Sequence, residues 1–147
     1  MSQGITRRVK VRVVAEGGQS ETMWAAHEGL NRYRLDNIPF VAFGLSLNDL
    51  VAAPKIEGVP TFERVLAGSG HSTYRLALKD GVDPKDFPEL VSALKDLGCG
   101  LERFTPRIMG VDIPPQVDIH AAYELIAAGM SAGNWLFDEV NVEHPLT

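Results

Sequence analysis

The chain has 147 residues, of which 45% are hydrophobic and 22% are charged. This composition is ordinary for a soluble globular protein, and the length is enough to bury a sizeable core. The formal net charge is -5 at pH 7. That charge argues against nucleic acid as the default partner, because binding to a phosphate backbone needs a cationic surface.

Targeting and redox features predict a cytoplasmic protein. Arg7 and Arg8 are followed by alternating charged and apolar residues, so no signal peptide is predicted. No apolar run has the length needed to span a bilayer, so no membrane partner is predicted. The single cysteine, Cys99, cannot form an internal disulfide and is predicted to be a small buried residue.

Residues 1–70 are predicted to form an all-β half. Charged and apolar residues alternate at the start, as they do in a strand with one buried face. Glycine and proline turns then separate several short runs. The predicted strands are 7–14, 21–27, 31–35, 50–53 and 61–66. Short strands with such frequent turns predict a small, strongly bent sheet or partial barrel.

Residues 71–147 are predicted to form an α/β half. Asp83 and Pro84 have the capping and first-turn chemistry of a helix that ends at Gly98. Asp118 is predicted to cap a second helix that ends at Gly133. Four strands complete this half, at 73–79, 101–104, 107–111 and 135–142. The resulting β-α-β-β-α-β order predicts a ferredoxin-like unit, an α+β fold overall, and two halves packed as one compact body.

Four basic residues lie on the first predicted strand: Arg7, Arg8, Lys10 and Arg12. The valines between them are predicted to face the core, so that Arg8, Lys10 and Arg12 share the outer face. On an acidic protein, the expected role of this stripe is a solvated strand face. A phosphate-binding stripe and a contact with an acidic protein are the alternatives.

The residues that could carry chemistry match no established motif. The four histidines lack metal-ligand spacing, so a metal site would need distant ligands to converge, with Asp36 and Asp112 as oxygen donors. Ser69, His71 and Ser72 are adjacent, but Ser72 and His71 should point to opposite faces and no nucleophile elbow is present. The turn 68–72 could cradle an anion near Arg75, although a strand rather than a helix follows it.

Two blocks hold the densest polar and aromatic content: YRLDNIPF at 33–40 and SGHSTYR at 69–75. Loops with such contents are common functional sites. With Gly44-Leu45-Ser46 and Asp49, the blocks resemble an uncharacterised bacterial domain-of-unknown-function family, over residues 7–143. The resemblance implies a bacterial origin and a small stand-alone protein. That family carries no settled activity, so the resemblance transfers no catalytic residue.

Two functions of different class are predicted. The first is a non-enzymatic protein-binding module, of the immunity type that neutralises a toxin, with that toxin or another effector protein as the partner. The second is a small enzyme or ligand-binding regulator with a site between the two halves. The candidate binding residues are Arg34, Asp36, Asn37, Ser69, His71, Ser72 and Arg75. No catalytic residue, metal or cofactor is predicted, and a homo-oligomer is left open.

Asp36 is also predicted to have a structural role. A carboxylate at this position could pair with Arg34 or Arg75. Such a pair would tie the all-β half to the strand that begins at Thr73. Loss of Asp36 would then leave a buried charge without its partner and destabilise the fold.

Overall fold

The computed structural model describes residues 8–15 and 17–146. The fold is α+β, and the described residues form eleven strands in three antiparallel sheets together with two helices. The predicted fold class is therefore confirmed. Arg7 and Glu16, which belong to the predicted first strand and the turn after it, lie outside the described residues.

The first part of the chain forms a five-stranded sheet and a short two-stranded ribbon. The strands are β1 (Arg8–Val14), β2 (Ser20–His27), β3 (Arg32–Leu35), β4 (Leu50–Ala52), β5 (Lys55–Ile56), β6 (Val59–Pro60) and β7 (Arg64–Ala67). The sheet order is β1-β2-β3-β4-β7, and β5 pairs with β6. Val11 and Val13 are buried, as the alternation in β1 predicts.

Within the described residues the five-stranded sheet does not close into a barrel. One isolated bridge joins Arg12 of β1 to Thr61, and the Phe62 amide donates to the Arg12 carbonyl at 2.8 Å. This contact brings the segment before β7 back towards β1. The prediction of a small bent sheet or partial barrel is therefore confirmed only in part: the described residues form an antiparallel sheet, and this sheet stays open.

The second part of the chain forms a four-stranded sheet with two helices. Its elements are β8 (Ser72–Leu78), α1 (Pro88–Leu97), β9 (Gly100–Thr105), β10 (Ile108–Ile113), α2 (Ile119–Ser131) and β11 (Trp135–Asn141). The sheet order is β11-β8-β10-β9, and each neighbouring pair is antiparallel. The β-α-β-β-α-β order along the chain is therefore as predicted.

The helix boundaries correct one prediction. The first helix begins at Pro88 rather than Pro84, because Pro84–Asp86 forms a separate 3-10 turn. Proline has no amide hydrogen to donate, so Pro88 starts a helix more easily than it continues one. Gly98 ends α1 with a φ of 106°, and the Asp118 carboxylate caps α2, both as predicted. Neither described helix combines the length and hydropathy needed to cross a membrane.

Both helices pack on one face of the four-stranded sheet. The core there contains Tyr74, Leu76 and Leu78 of β8, whose alternation predicted a buried face. Leu94 of α1 and Trp135 of β11 are fully buried in the same cluster. Cys99 is buried beside it, as predicted, and burial raises the pKa of its thiol to about 11.

The opposite face of this sheet meets the loop between β3 and β4, residues 36–49. Phe40 of the loop stacks on Phe104, with ring centroids 4.8 Å apart. Gly110 lies against Phe104 and Ile38, and a Cβ atom there would collide with both. A side chain at position 110 would therefore push the loop away from this sheet.

The chain is predicted to be one compact body, and unfolding experiments can test this prediction. We expect thermal unfolding to be a single cooperative transition. If one half unfolded alone, the surface that it covers on the other half would become exposed to water. Circular dichroism and calorimetry would check this. Two resolved transitions, or a stable isolated fragment from residue 72 onward, would contradict it.

Candidate functional site

A buried polar layer lies where the β3–β4 loop meets the second sheet. Its six side chains are at most 9% exposed: Ser46, Asp49, Ser72, Thr73, Asp112 and His144. Buried polar groups cost free energy unless they are hydrogen-bonded. In the described part of the chain, every buried side-chain nitrogen and oxygen has such a partner. Two predicted site residues, Ser69 and His71, border this layer, and Ser72 belongs to it.

Asp49 organises the turn at Ser69. Its two carboxylate oxygens accept hydrogen bonds from the Ser69 amide at 2.8 Å and the Ser46 amide at 2.9 Å. Ser69 Oγ donates to the Leu47 carbonyl at 2.7 Å and accepts from the His71 amide at 3.2 Å. The amides of Ser69 and His71 are therefore bound to protein oxygens, as in a simple tight turn, and are not free to hold an anion.

Glu143, just after β11, brings a second carboxyl group to Asp49. It accepts hydrogen bonds from the Gly70 amide and from Asn141 Nδ2, each at 2.8 Å. The pKa of Glu143 is raised, first by burial and then by the hydrogen bond that it shares with Asp49. Asp49 and Glu143 bind neighbouring amides of one turn, those of Ser69 and Gly70, and so join the loop to the chain after β11.

His71 is oriented by a buried carboxylate. Its Nδ1 lies 2.8 Å from Asp112 Oδ1, and its Nε2 lies 3.4 Å from Asn48 Nδ2. With Asp112 ionised, Nδ1 donates and Nε2 faces the amide as an acceptor. Burial raises the pKa of Asp112, and the His71 contact opposes that rise. A carboxylate–histidine pair can orient a general base, but this Nε2 faces an amide rather than a nucleophile.

Ser72 points to the other side of its strand, as predicted, and contacts His144 instead of His71. Ser72 Oγ lies 2.6 Å from His144 Nδ1 and accepts from the amides of Glu143 and His144. Its own proton therefore goes to Nδ1, and His144 Nε2 donates to the Pro114 carbonyl at 2.9 Å. Since Ser72 is fully buried, this contact anchors the chain after β11 rather than activating a nucleophile.

Arg34 connects this layer to the solvent face of the first sheet. It binds Glu28 through two hydrogen bonds, at 2.6 and 3.0 Å, and donates to the Asn48 carbonyl at 3.0 Å. The hydrogen bond with Arg34 is the largest cause that lowers the pKa of Glu28. Asn48 therefore lies between Arg34 and His71, and these two predicted site residues are brought together.

Asp36 and Asn37 lie away from the layer, beside Trp24. Asn37 Oδ1 accepts a hydrogen bond from the Trp24 amide, and Asp36 pairs with Arg8 at 3.1 Å. The predicted pairing of Asp36 with Arg34 or Arg75 is therefore wrong. Both side chains of the observed pair are about half exposed, and such pairs contribute about 0–1 kcal/mol. The strong destabilisation predicted for loss of Asp36 no longer follows.

Arg75 lies at a third place, on the wall of an apolar groove. Its guanidinium donates to the Phe40 carbonyl at 2.9 Å and to Asp138 at 3.0 Å, and it lies 4.9 Å from the ring centre of Phe43. The groove has a volume of about 580 Å³. Its lining includes Val14, Val41, Phe43, Leu45, Phe62 and Arg75. The predicted site residues are therefore divided among three places.

The histidines do not converge on one site. His144 belongs to the buried polar layer and His71 borders it, whereas His27 contacts the Tyr33 ring and His120 is exposed on α2. Over residues 8–15 and 17–146, no group of three or more His, Cys, Asp or Glu side chains is arranged to hold a metal ion.

Sequence reasoning missed several members of the site. It assigned no contact to Ser46, Asn48, Asn141, Glu143 and His144, and it gave Asp112 no partner within the chain. Two signals were present in the sequence. Asp112 is a charged residue inside the apolar strand β10, and Asn141, Glu143 and His144 form a polar run directly after β11. A charged residue in a buried strand indicates a specific partner elsewhere in the chain.

The fold and its buried polar layer define a small α+β domain. Residues 21–137 match the family described as "Domain of unknown function (DUF4265)". The chain belongs to this family, which confirms the predicted resemblance to an uncharacterised domain family. A comparison with curated proteins finds no significant match.

A solved structure has the same fold. It is described as the novel crystal structure of a hypothetical protein from Neisseria gonorrhoeae, and it matches with a TM-score of 0.73 at 17% sequence identity. The match covers 96% of this chain and 98% of that protein. At this identity the likeness extends to the fold alone.

Proposed function

We propose that the protein is a non-enzymatic bacterial protein-binding module, and that the groove beside Phe43 holds its partner. The observation that carries this proposal is the exposure of Phe43 and Val14, each 57% exposed, on a groove that also contains Arg75. Aromatic residues and arginine are enriched in protein interfaces and among their energetically dominant residues. Exposed apolar residues on such a groove favour a protein partner.

The fixed position of Arg75 supports the same proposal. Its guanidinium is held by the Phe40 carbonyl and by Asp138 while it lies against the Phe43 ring. Binding a partner immobilises interface side chains at a cost of about 0.5–1.5 kcal/mol each. A side chain that is already held loses less freedom on binding. This arrangement suits a preformed surface.

The buried polar layer supports a non-enzymatic role. Its hydrogen-bonding groups are satisfied within the protein, so a substrate would have to break contacts such as that between Ser72 and His144. Neutralisation of a toxin by occlusion, as in an immunity-type protein, needs no catalytic group of its own. We propose this immunity-type role as the more specific version of the protein-binding function.

Site-specific photo-crosslinking in the native bacterial host would test the groove. A photoreactive phenylalanine analogue at position 43 is expected to give one discrete adduct with a different protein, identified by mass spectrometry. The matched control is the same analogue at Leu136, which is 58% exposed on the other sheet. The control should not give that adduct.

Equal adduct patterns from the two positions would contradict the groove as the binding surface. An adduct only with a second copy of the chain would show that the groove is a homo-oligomer interface and not the binding site of a different protein. If the captured protein is toxic when expressed alone, and co-expression of this chain relieves the toxicity, the immunity-type form is supported. Relief that persists in the Phe43→Asp variant would count against the groove.

The second candidate function, a small enzyme or ligand-binding regulator, rests on the His71–Asp112 pair. That pair has the geometry of an oriented base at the meeting of the two sheets. Asp36, Asn37 and Arg75 lie elsewhere, so few of the predicted site residues remain beside it. We therefore rank this function second.

We also propose that the four-stranded sheet and its two helices form a ferredoxin-like arrangement. The chain order of its strands and helices supports this, as does the antiparallel order β11-β8-β10-β9 with both helices on one face. The arrangement matters for the function because it leaves the opposite face of the sheet for the loop that carries Phe43.

A further inference from the structure

The solvent face of the five-stranded sheet is strongly cationic on an acidic protein. The strand registers place six of the chain's 14 Lys and Arg residues on this cationic sheet face: Arg8, Lys10, Arg12, Arg32, Arg34 and Arg64. Their neighbours Val11 and Tyr33 point inward and are buried, which fixes the outward direction of the cations.

Three acidic residues accompany these cations. Glu28, Asp36 and Glu63 pair with Arg34, Arg8 and Arg64, respectively. Within the described residues, no ion pair joins Lys10, Arg12 or Arg32 to a carboxylate. The face therefore keeps an excess of positive charge, while the whole chain has a net charge of -5.

The indole ring of Trp24 lies on the same face. It is 38% exposed, and it lies under Arg8 at 4.7 Å and Lys10 at 5.2 Å from the ring centre. Cation–π contacts of this kind hold both cations beside the ring. A half-exposed tryptophan beside arginine has the composition of residues that dominate binding energy in protein interfaces.

We propose that the cationic sheet face docks an extended acidic segment of a partner protein. Lys10 and Arg12 are two residues apart on β1, which separates them by about 6.6 Å. Alternate side chains of an extended partner have the same spacing, so acidic residues at every second position would meet these cations in register. Trp24 would cover the apolar part of that segment. This inference rests on the proposed protein-binding function but uses a surface other than the Phe43 groove.

A protein segment fits this face better than nucleic acid does. Duplex DNA carries about one negative charge per 1.7 Å of axis, and tight binding requires many phosphate contacts. Here three of the six cations are already paired with carboxylates. The acidic remainder of the chain would repel a long polyanion, whereas a short acidic segment can stay within the face.

Fluorescence-anisotropy titration at low salt would test the proposal. The probes are a short labelled peptide with glutamate at every second position and its glutamine counterpart. We expect the full chain to bind the glutamate peptide at least roughly tenfold more tightly, a difference worth about 1.4 kcal/mol. The double variant Lys10→Glu/Arg12→Glu should lose this preference, and Arg32→Glu alone should weaken it.

The matched control is Lys79→Glu/Lys95→Glu, which makes the same charge change at exposed positions outside the face. It should retain binding after correction for net charge at several salt concentrations. Equal loss in both double variants, equal affinity for the two peptides, or tighter binding of single-stranded or duplex DNA would overturn the proposal. Arg32→Glu keeps the test informative if the first double variant fails to fold.

The Phe43→Asp variant separates this inference from the proposed function. It should bind the glutamate peptide as the unchanged protein does, because Phe43 lies in the groove and not on the cationic sheet face. Peptide binding without a crosslinked partner at position 43 would count against the groove alone. A crosslinked partner without peptide preference would overturn the inference about the cationic face alone.

Discussion

Gly129→Ala is expected to lower the free energy of unfolding by about 3 kcal/mol, although alanine is the stronger helix former. A Cβ atom on Gly129 would overlap three carbons of the Trp135 indole ring. The ring cannot move aside easily, because it is fully buried, donates from Nε1 to the Ile126 carbonyl at 2.9 Å, and contacts Phe87. The added methyl would therefore push α2 away from β11.

Denaturant unfolding of Gly129→Ala and Ser131→Ala would check this prediction. Ser131 is exposed in the same helix, so its replacement should be neutral or stabilise by about 0.5 kcal/mol through helix propensity. The two substitutions then differ in sign. A Gly129→Ala variant as stable as the unchanged protein would show that α2 does not approach Trp135 this closely.

Much of the fold could be predicted because its signals are local. The alternation that exposes Lys10 and buries Val11 is set by the pleat of one strand. Gly98 and Asp118 act on backbone groups within a few residues of themselves, so their roles as helix end and helix cap are readable from the sequence. These predictions are confirmed, and none of them required knowledge of contacts between residues far apart in the chain.

The start of α1 shows where local signals fail. Asp83-Pro84 has both a capping carboxylate and a proline for the first turn, whereas Phe87-Pro88 has only the proline. The sequence therefore favoured the first start over the second. The structure uses the first as a 3-10 turn, in which Asp83 accepts from the Lys85 amide at 2.9 Å. Two competing starts a few residues apart leave the boundary to tertiary packing.

The site could be predicted only in part, because its contacts join distant positions. The polar blocks did indicate Arg34, Ser69 and His71, which meet near Asn48 and Asp49. Their partners come from β10 and from the chain after β11, and no spacing rule identifies those. The pairing of Asp36 with Arg8 illustrates the limit, since several arginines were equally suitable by charge.

Glu143→Gln is expected to gain stability relative to the unchanged protein as the pH rises towards neutral, and so to remove part of the pH dependence. The Glu143 carboxyl group shares a hydrogen bond with Asp49, and burial raises its pKa above the ordinary value of 4.5. Burial and the neighbouring Asp49 carboxyl group both favour the protonated form of Glu143. Glutamine keeps one acceptor oxygen for the Gly70 or Asn141 amide, replaces the other by a donor, and has no group that ionises.

The sign follows from linkage between protonation and folding. A carboxyl group with a raised pKa in the folded state gives stability that is fully present below about 4.5, its pKa in the unfolded chain, and that is lost as the pH rises through the folded-state pKa. The stability advantage of Glu143→Gln should therefore be small at acidic pH and grow towards neutral pH.

Urea unfolding across this pH range would measure that difference, with Glu124→Gln, an exposed position on α2, as the control. The control should follow the profile of the unchanged protein at every pH. If the Glu143→Gln profile also runs parallel to it, Glu143 binds its proton equally in the folded and unfolded states, and its pKa is not raised by folding. The Asp49–Glu143 pair would then be a fixed part of the junction between the two sheets and not a proton-dependent one.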